Sequence, residues 1–190
     1  DRGSRARVCH GPTVASLSAF FGRGAMTTGW IDIKNADVML AMGGNPAENH
    51  PCGFKWFIEA KKTRGAKLVV VDPRFTRTAA VADFYAPIRP GTDIAFLNGI
   101  IRYAIQTGRY HEEYVKIHTN GPFLVKNTYG FKDGLFAGWD PKTKQYAKDA
   151  WGYEADPKTT AYGVDNTMQN PQGVFQLLKQ HVDRYTPEMV

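Results

Sequence analysis

The chain has 190 residues, a hydrophobic fraction of 43%, 13% aromatics and a net charge of +6 from 24 basic and 18 acidic residues. That is enough apolar material for a real core, and the basic balance suits a phosphate-bearing ligand, an anionic substrate, nucleic acid or simply a solvated surface. Two cysteines, Cys9 and Cys52, give no disulfide framework and no CxxC metal pair, and no run of about 18 apolar residues reads as a membrane span.

The length fits one domain, or a domain plus a substantial insertion. Asp1 leads straight into a motif, and Pro187-Glu188-Met189-Val190 has no terminal character. Both ends are read as cuts in a longer polypeptide, so the lack of a leader pattern carries no weight.

In chain order, residues 8–26 open with Cys-His-Gly-Pro. Val14, Leu17, Phe20 and Phe21 then recur near helical spacing, with Pro12 in the first turn and an end near Gly22 and Gly24. Residues 38–42 form a short apolar run, the pattern of a buried parallel strand. After a Gly-Gly-Asn-Pro loop, Phe54, Trp56, Phe57, Ile58 and Ala60 predict a helix closed near Gly65. A second buried strand is predicted over 67–71 and a shorter one near 84–86. Thr92 or Asp93 should cap a helix through Ile94, Leu97, Ile101 and Ile105.

This alternation predicts an α/β fold: an open, mostly parallel sheet with flanking helices, dinucleotide-binding-like, with ligand loops along one carboxyl edge. From about 107 to 170 the text turns Gly- and Pro-rich and aromatic, apart from a short helix at 112–118. An ordered irregular insertion packed on the domain is expected there. A last helix is predicted over 174–182, with Val174, Leu177 and Leu178 as its apolar stripe. The expected organisation is therefore 1–106 as an α/β segment, 107–170 as the insertion, and 171–190 as a helix leading onward.

Four motifs carry candidate chemistry. Met42-Gly43-Gly44-Asn45-Pro46-Ala47-Glu48-Asn49 follows a strand and precedes a helix. Glycines there let backbone N–H groups approach a phosphate, or serve only a tight turn. It is not GxGxxG. Asp72 ends the next strand, where an acid can bond a ribose hydroxyl or merely cap a turn. Pro73, Arg74, Thr76 and Arg77 follow, and arginine can grip a phosphate bidentately. Gly91-Thr92-Asp93 puts a carboxylate at a helix start, as an N-cap or as an acceptor for a guanine edge. Cys9-His10 pairs a soft-metal thiolate with a proton-carrying imidazole; in isolation a structural Cys beside a surface His is the plainer reading. Cys52 reads as a small core residue.

Val8-Cys9-His10-Gly11-Pro12-Thr13-Val14-Ala15-Ser16-Leu17 and Phe21-Gly22-Arg23-Gly24-Ala25-Met26-Thr27 resemble the active-site segment of respiratory, molybdopterin-dependent formate dehydrogenases of the DMSO-reductase superfamily. The likeness continues through Met42-Gly43-Gly44-Asn45-Pro46-Ala47-Glu48, Val71-Asp72-Pro73-Arg74-Phe75-Thr76-Arg77-Thr78-Ala79, Tyr85-Ala86-Pro87-Ile88-Arg89 and Gly91-Thr92-Asp93-Ile94. It resumes at Leu178-Lys179-Gln180-His181-Val182 and Arg184-Tyr185-Thr186-Pro187, and loosens only over 140–170.

The resemblance implies an internal piece of a catalytic subunit that oxidises formate reversibly to carbon dioxide. The implied cofactor is bis-molybdopterin guanine dinucleotide with Mo or W. It implies Cys9 (selenocysteine in many members) as metal ligand and His10 as the proton-handling residue. Gly43, Gly44, Asn45, Ala47 and Glu48 would lie on cofactor phosphates. Asp72, Pro73, Arg74 and Thr76 would line the next cofactor loop, and Gly91, Thr92 and Asp93 would recognise guanine. A [4Fe-4S] cluster motif and an active-site arginine would lie outside these 190 residues, leaving the piece inactive alone. Implied partners are an iron–sulfur electron-transfer subunit and a membrane cytochrome subunit beyond it. No nucleic-acid partner is implied; the compartment would be the periplasm, with the cytoplasm as the alternative.

Two other readings compete. A sister molybdopterin enzyme such as a nitrate reductase would share the cofactor loops, and Cys-His-Gly-Pro-Thr-Val is the discriminator. The other is an independent nicotinamide-binding α/β module, against which the missing GxGxxG speaks. A subunit contact through 107–170 is a further role for the insertion.

Overall fold

In a computed structural model, residues 10–155 and 161–190 are described. No helix among them is long and apolar enough to cross a membrane. The chain divides into two compact units, one up to Pro90 and one from Gly91. The sequence suggested boundaries near 106 and 170 instead; the second unit takes in the helix after Gly91, the irregular stretch and the last helix.

The first unit begins with helix α1, His10–Phe21. Gly22, at φ +69, follows it and returns its N–H to Ser18 O at 3.0 Å, a left-handed helix stop. A 3-10 helix, Trp30–Asn35, precedes β1, Val38–Met42. A four-residue helix α2, Pro46–Asn49, and the longer α3, Pro51–Arg64, lead to β2, Lys67–Val71. After a short 3-10 turn at Ala79–Val81 comes β3, Phe84–Ala86. The sheet order is β1-β2-β3, all parallel, with Met42 opposite Val71 and Val71 opposite Ala86. The three predicted strands therefore form at the predicted residues, as the parallel α/β reading required.

Alternation along each strand sends Met39, Ala41, Leu68 and Val70 to one face. They form the core with Phe57, Ala60, Ala66 and Ala79, and Trp30, Ile33 and Phe54 close over it. Leu68, Val70 and Val71 are fully buried, stabilising the fold by on the order of 2 kcal/mol each before entropy is counted. On the opposite face Val38, Leu40 and Phe84 are exposed. The expectation of a doubly buried β1 is corrected here: among the described residues β1 and β3 are edge strands, β1 burying one face only and β3 only partly buried. Cys52 is likewise exposed rather than in the core. Gly53 shows why α3 carries a glycine near its start: a Cβ there would lie 2.4 Å from the Trp30 ring.

The second unit contains α4, Asp93–Gln106, and α5, Glu112–His118. His111 caps α5, accepting the Tyr114 N–H on Nδ1 at 3.0 Å. Two short hairpins follow: β4, Phe131–Lys132, with β5, Leu135–Phe136, and β6, Trp139–Asp140, with β7, Gln145–Tyr146. Isolated bridges join Phe123 to Val164, Leu124 to Gly173 and Val125 to Tyr153. The last helix, α6, is Val174–Val182. Its buried residues are Phe175 and Val182; Val174, Leu177 and Leu178, the expected stripe, instead line an open cavity. Residues 156–160 of the stretch expected to be an ordered insertion lie outside the described residues.

Candidate functional site

Parallel pairing puts the carboxyl ends of β1 and β2 side by side, so residues 43–49 and 72–78 leave the sheet along one edge. The first loop starts at Gly43, φ +63, whose N–H extends the ladder to Val71 O at 2.9 Å. That left-handed backbone favours glycine. No atom lies within 4 Å of where a Cβ would sit on Gly43 or Gly44, so the turn faces open space.

The second loop is unusual in what it buries. Among the described residues, the buried polar side chains are Asp72, Thr76 and Thr78, all from this one segment. Burying a polar group costs roughly 1–3 kcal/mol unless it is bonded, and each of these is bonded. Asp72 Oδ1 accepts the Arg74 N–H at 2.8 Å, and its own carbonyl takes the Tyr85 hydroxyl at 2.9 Å. Thr76 Oγ1 caps the following 3-10 turn through the Ala79 N–H at 3.1 Å.

Thr78 reaches across to the first loop. Its Oγ1 accepts the Ala47 N–H at 3.0 Å, and its hydroxyl donates to Asn45 Oδ1 at 2.8 Å. The Thr78 N–H points to the same Asn45 oxygen at 3.3 Å. Asn45 then donates through Nδ2 to Glu48, and Glu48 pairs with Arg77 at 3.1 Å. One continuous set of polar contacts thus stitches the two loops together.

This geometry sorts the residues expected to bind. Ala47 spends its N–H on Thr78, and Asn45 and Glu48 spend their side chains within the stitch. Glu48 also gives its N–H to Asn45 O. Two N–H groups of the short α2 are therefore already taken, one by Thr78 of the neighbouring loop and one by Asn45 O. Among the described residues, the Gly44 N–H and the Arg74 guanidinium keep no acceptor, and Arg74 is exposed. An open glycine turn on one loop and an exposed guanidinium on the neighbouring one, with the carboxylate of Asp72 at the strand end, are groups that can receive a phosphate-bearing ligand.

Cys9 lies outside the described residues. His10 is the first residue of α1 and is exposed. Gly91, Thr92 and Asp93 belong to the second unit: Gly91 has φ +87, Thr92 sits at the N-cap position without capping through its side chain, and Asp93 opens α4, exposed. Among the described residues, no cluster of three or more His, Cys, Asp or Glu could hold a metal ion. Thr78, the hub of the stitch, was not singled out by sequence; its only signal was a second threonine in a short polar loop.

The second unit has its own cavity of about 570 Å³, lined by Tyr129, Phe136, Trp151, Leu177 and His181. Arg184 lies 3.1 Å from His181 Nδ1, and burial with that guanidinium pushes the imidazole below its usual pKa. None of the residues expected at the site lines it.

A family model for molybdopterin oxidoreductases matches residues 2–155. The formate dehydrogenase-O major subunit of Escherichia coli is 57% identical over 98% of this chain and 18% of its own length. The formate dehydrogenase major subunit of Haemophilus influenzae is 54% identical over the same shares. The formate dehydrogenase subunit alpha of Megalodesulfovibrio gigas is 49% identical over 95% of this chain and 18% of its own. The chain therefore spans 18% of the length of these curated relatives.

Proposed function

The chain belongs to the molybdopterin oxidoreductase family, and on that premise we propose that it is part of the catalytic subunit of a formate dehydrogenase, oxidising formate reversibly to carbon dioxide. The observation that carries this is identity of 54–57% over 98% of the chain with proteins named as formate dehydrogenase major subunits.

Family membership implies a molybdopterin cofactor, and the paired loops suit one chemically. The open turn at Gly43 and Gly44, the Gly44 N–H and the Arg74 guanidinium fit phosphate groups, while Asp72 offers a carboxylate oxygen to a hydroxyl. In this reading the cofactor is the bis-guanine dinucleotide form with Mo or W, and Pro73 and Thr76 shape the second loop. Gly91, Thr92 and Asp93 meet the guanine. When bound, the cofactor supplies the metal at which formate gives up two electrons.

The chain's own part is to hold and orient. Cys9 contributes a thiolate, the deprotonated form that metal ligation requires. His10 takes the proton released as formate becomes carbon dioxide, at an imidazole nitrogen. The two electrons leave through iron–sulfur clusters, one of them a [4Fe-4S] cluster elsewhere in the parent polypeptide, to a partner subunit and a membrane cytochrome. The proposed compartment is the periplasm.

Metal and pterin analysis of the full-length parent, with formate oxidation followed by an artificial electron acceptor, tests this. Molybdenum or tungsten with formate turnover is expected. A protein with neither metal sinks the reading, and one that reduces nitrate but ignores formate moves it to the sister activity.

A further inference from the structure

Resting on the molybdopterin reading, we propose that Thr78 is a positioning residue of the cofactor cradle. Its buried hydroxyl fixes the loop after β1 against the loop after β2, and so sets the spacing between the Gly44 N–H and the Arg74 guanidinium.

Thr78 is wholly buried. A hydroxyl can donate one hydrogen bond and accept others, and here both capacities go to the neighbouring loop: acceptance from the Ala47 N–H at 3.0 Å, donation to Asn45 Oδ1 at 2.8 Å. The partners lie 31 and 33 residues away in sequence. A residue needed only to fill space here could be valine, which has the same shape. Valine would strand the Ala47 N–H and leave Asn45 Oδ1 with only the long 3.3 Å contact from the Thr78 N–H. Thr78 also has a stiff side chain, since branching at Cβ restricts its first torsion. It is therefore a rigid peg between two loops, one with an open glycine turn at Gly43 and Gly44 and the other carrying the exposed Arg74. Freed from Thr78, Asn45 would lose its orientation toward Glu48, and Glu48 its place against Arg77.

The test uses the full-length holoenzyme and reads the rate of pterin loss, followed by fluorescence of the released, oxidised pterin, beside thermal unfolding of the cofactor-free protein. Residues that orient a binding group typically change affinity about 10–100-fold when replaced. Thr78→Val is expected to lose pterin about 10–100-fold faster than the parent, and Thr78→Ser, which keeps the hydroxyl, within about threefold of it. Asn45→Ala removes the same contact from the other side and serves if Thr78→Val does not fold. Its expected loss is about tenfold, in the same direction as that of Thr78→Val, and the double variant should lose pterin more slowly than the two single effects multiplied, because both break the Thr78–Asn45 contact. Pterin retention at the parental rate in Thr78→Val, or in Asn45→Ala where valine fails to fold, overturns the proposal. So does Thr78→Ser losing pterin as fast as valine, which would assign the role to the methyl group. A parent protein with no pterin at all would instead overturn the functional reading.

Discussion

The two units achieve order in opposite ways. In the first, three parallel strands supply a regular frame, and the loops at its edge are tied by buried polar side chains, Thr78 above all. In the second, regular strands shrink to two-residue pairs and isolated bridges, and aromatic contacts do the holding. Phe123 meets Tyr153 edge-on at 5.0 Å, and Trp151 touches both Phe136 and Tyr146, at 5.8 and 5.2 Å. Aromatic rings stabilise through area and tolerate several orientations. A hydroxyl bonded to two named atoms tolerates one. The contrast explains why the first unit's edge can hold a defined spacing of donors, and why buried polar groups concentrate there despite their cost.

The comparison can be broken most forcefully at Gly138. It has φ +85, and a Cβ on it would lie 2.2 Å from the Ala147 carbonyl oxygen across the β6–β7 hairpin. Left-handed backbone costs a non-glycine residue about 1–2 kcal/mol, and overpacking adds about 1–3 kcal/mol. Gly138→Ala is expected to destabilise the protein by roughly 2–5 kcal/mol in denaturant unfolding. A neutral result would mean that the hairpin can move without cost, and that the aromatic region is not a single packed body.

Gly53→Ala asks the matching question of the first unit, with a smaller effect. Helix propensity alone favours alanine by about 1 kcal/mol. The Trp30 ring lies 2.4 Å from the added methyl, and Trp30 itself is stacked on His50 at 5.0 Å. Overpacking of about 1–3 kcal/mol should win, for a net loss of about 1 kcal/mol. Stabilisation by the same substitution would show that the packing of Trp30 over the core is loose.

How much of this was legible in the sequence follows the same divide. The runs at 38–42 and 67–71 are almost wholly apolar, and a buried parallel strand leaves that signature; their ends then located the loops. What the sequence does not display is that Ala47 and Glu48 direct their N–H groups inward, to Thr78 Oγ1 and to Asn45 O. Thr78 escaped notice because its partners are more than thirty residues away, and a threonine announces no such pairing. In the second unit Asp133-Gly134 is a strong hairpin dipeptide, and both residues do adopt positive φ, +53 and +81. It was passed over because only two residues flank it on each side, too few for alternation to register. His111 was missed as a helix cap because the usual capping residues are Ser, Thr, Asp and Asn.

The smallest expected effects lie in two aspartates, one from each unit, and they sharpen the comparison by cause rather than size. Asp83 is held at a pKa of about 2, first by the Leu68 N–H and then by Lys61, with Lys67 also near. Asp165 is also held at about 2, by the Thr167 hydroxyl and by the N–H groups of Asn170, Thr167 and Gln169. Both pKa values are depressed from 3.8. The stability they supply is therefore present at neutral pH and lost as pH falls from about 4 through about 2. Asp83→Asn and Asp165→Asn should each lower the melting temperature at pH 7, and each gap should close toward pH 2. Salt separates them. Asp83 leans partly on two lysines, so raising salt from 0.05 to about 1 M should shrink its gap, because exposed charges are screened over about 3 Å at that strength. Asp165 is held by neutral donors, so its gap should hold nearly constant. Equal salt dependence in the two variants would show that the lysines contribute nothing at Asp83, and that both units anchor their turns by hydrogen bonding alone.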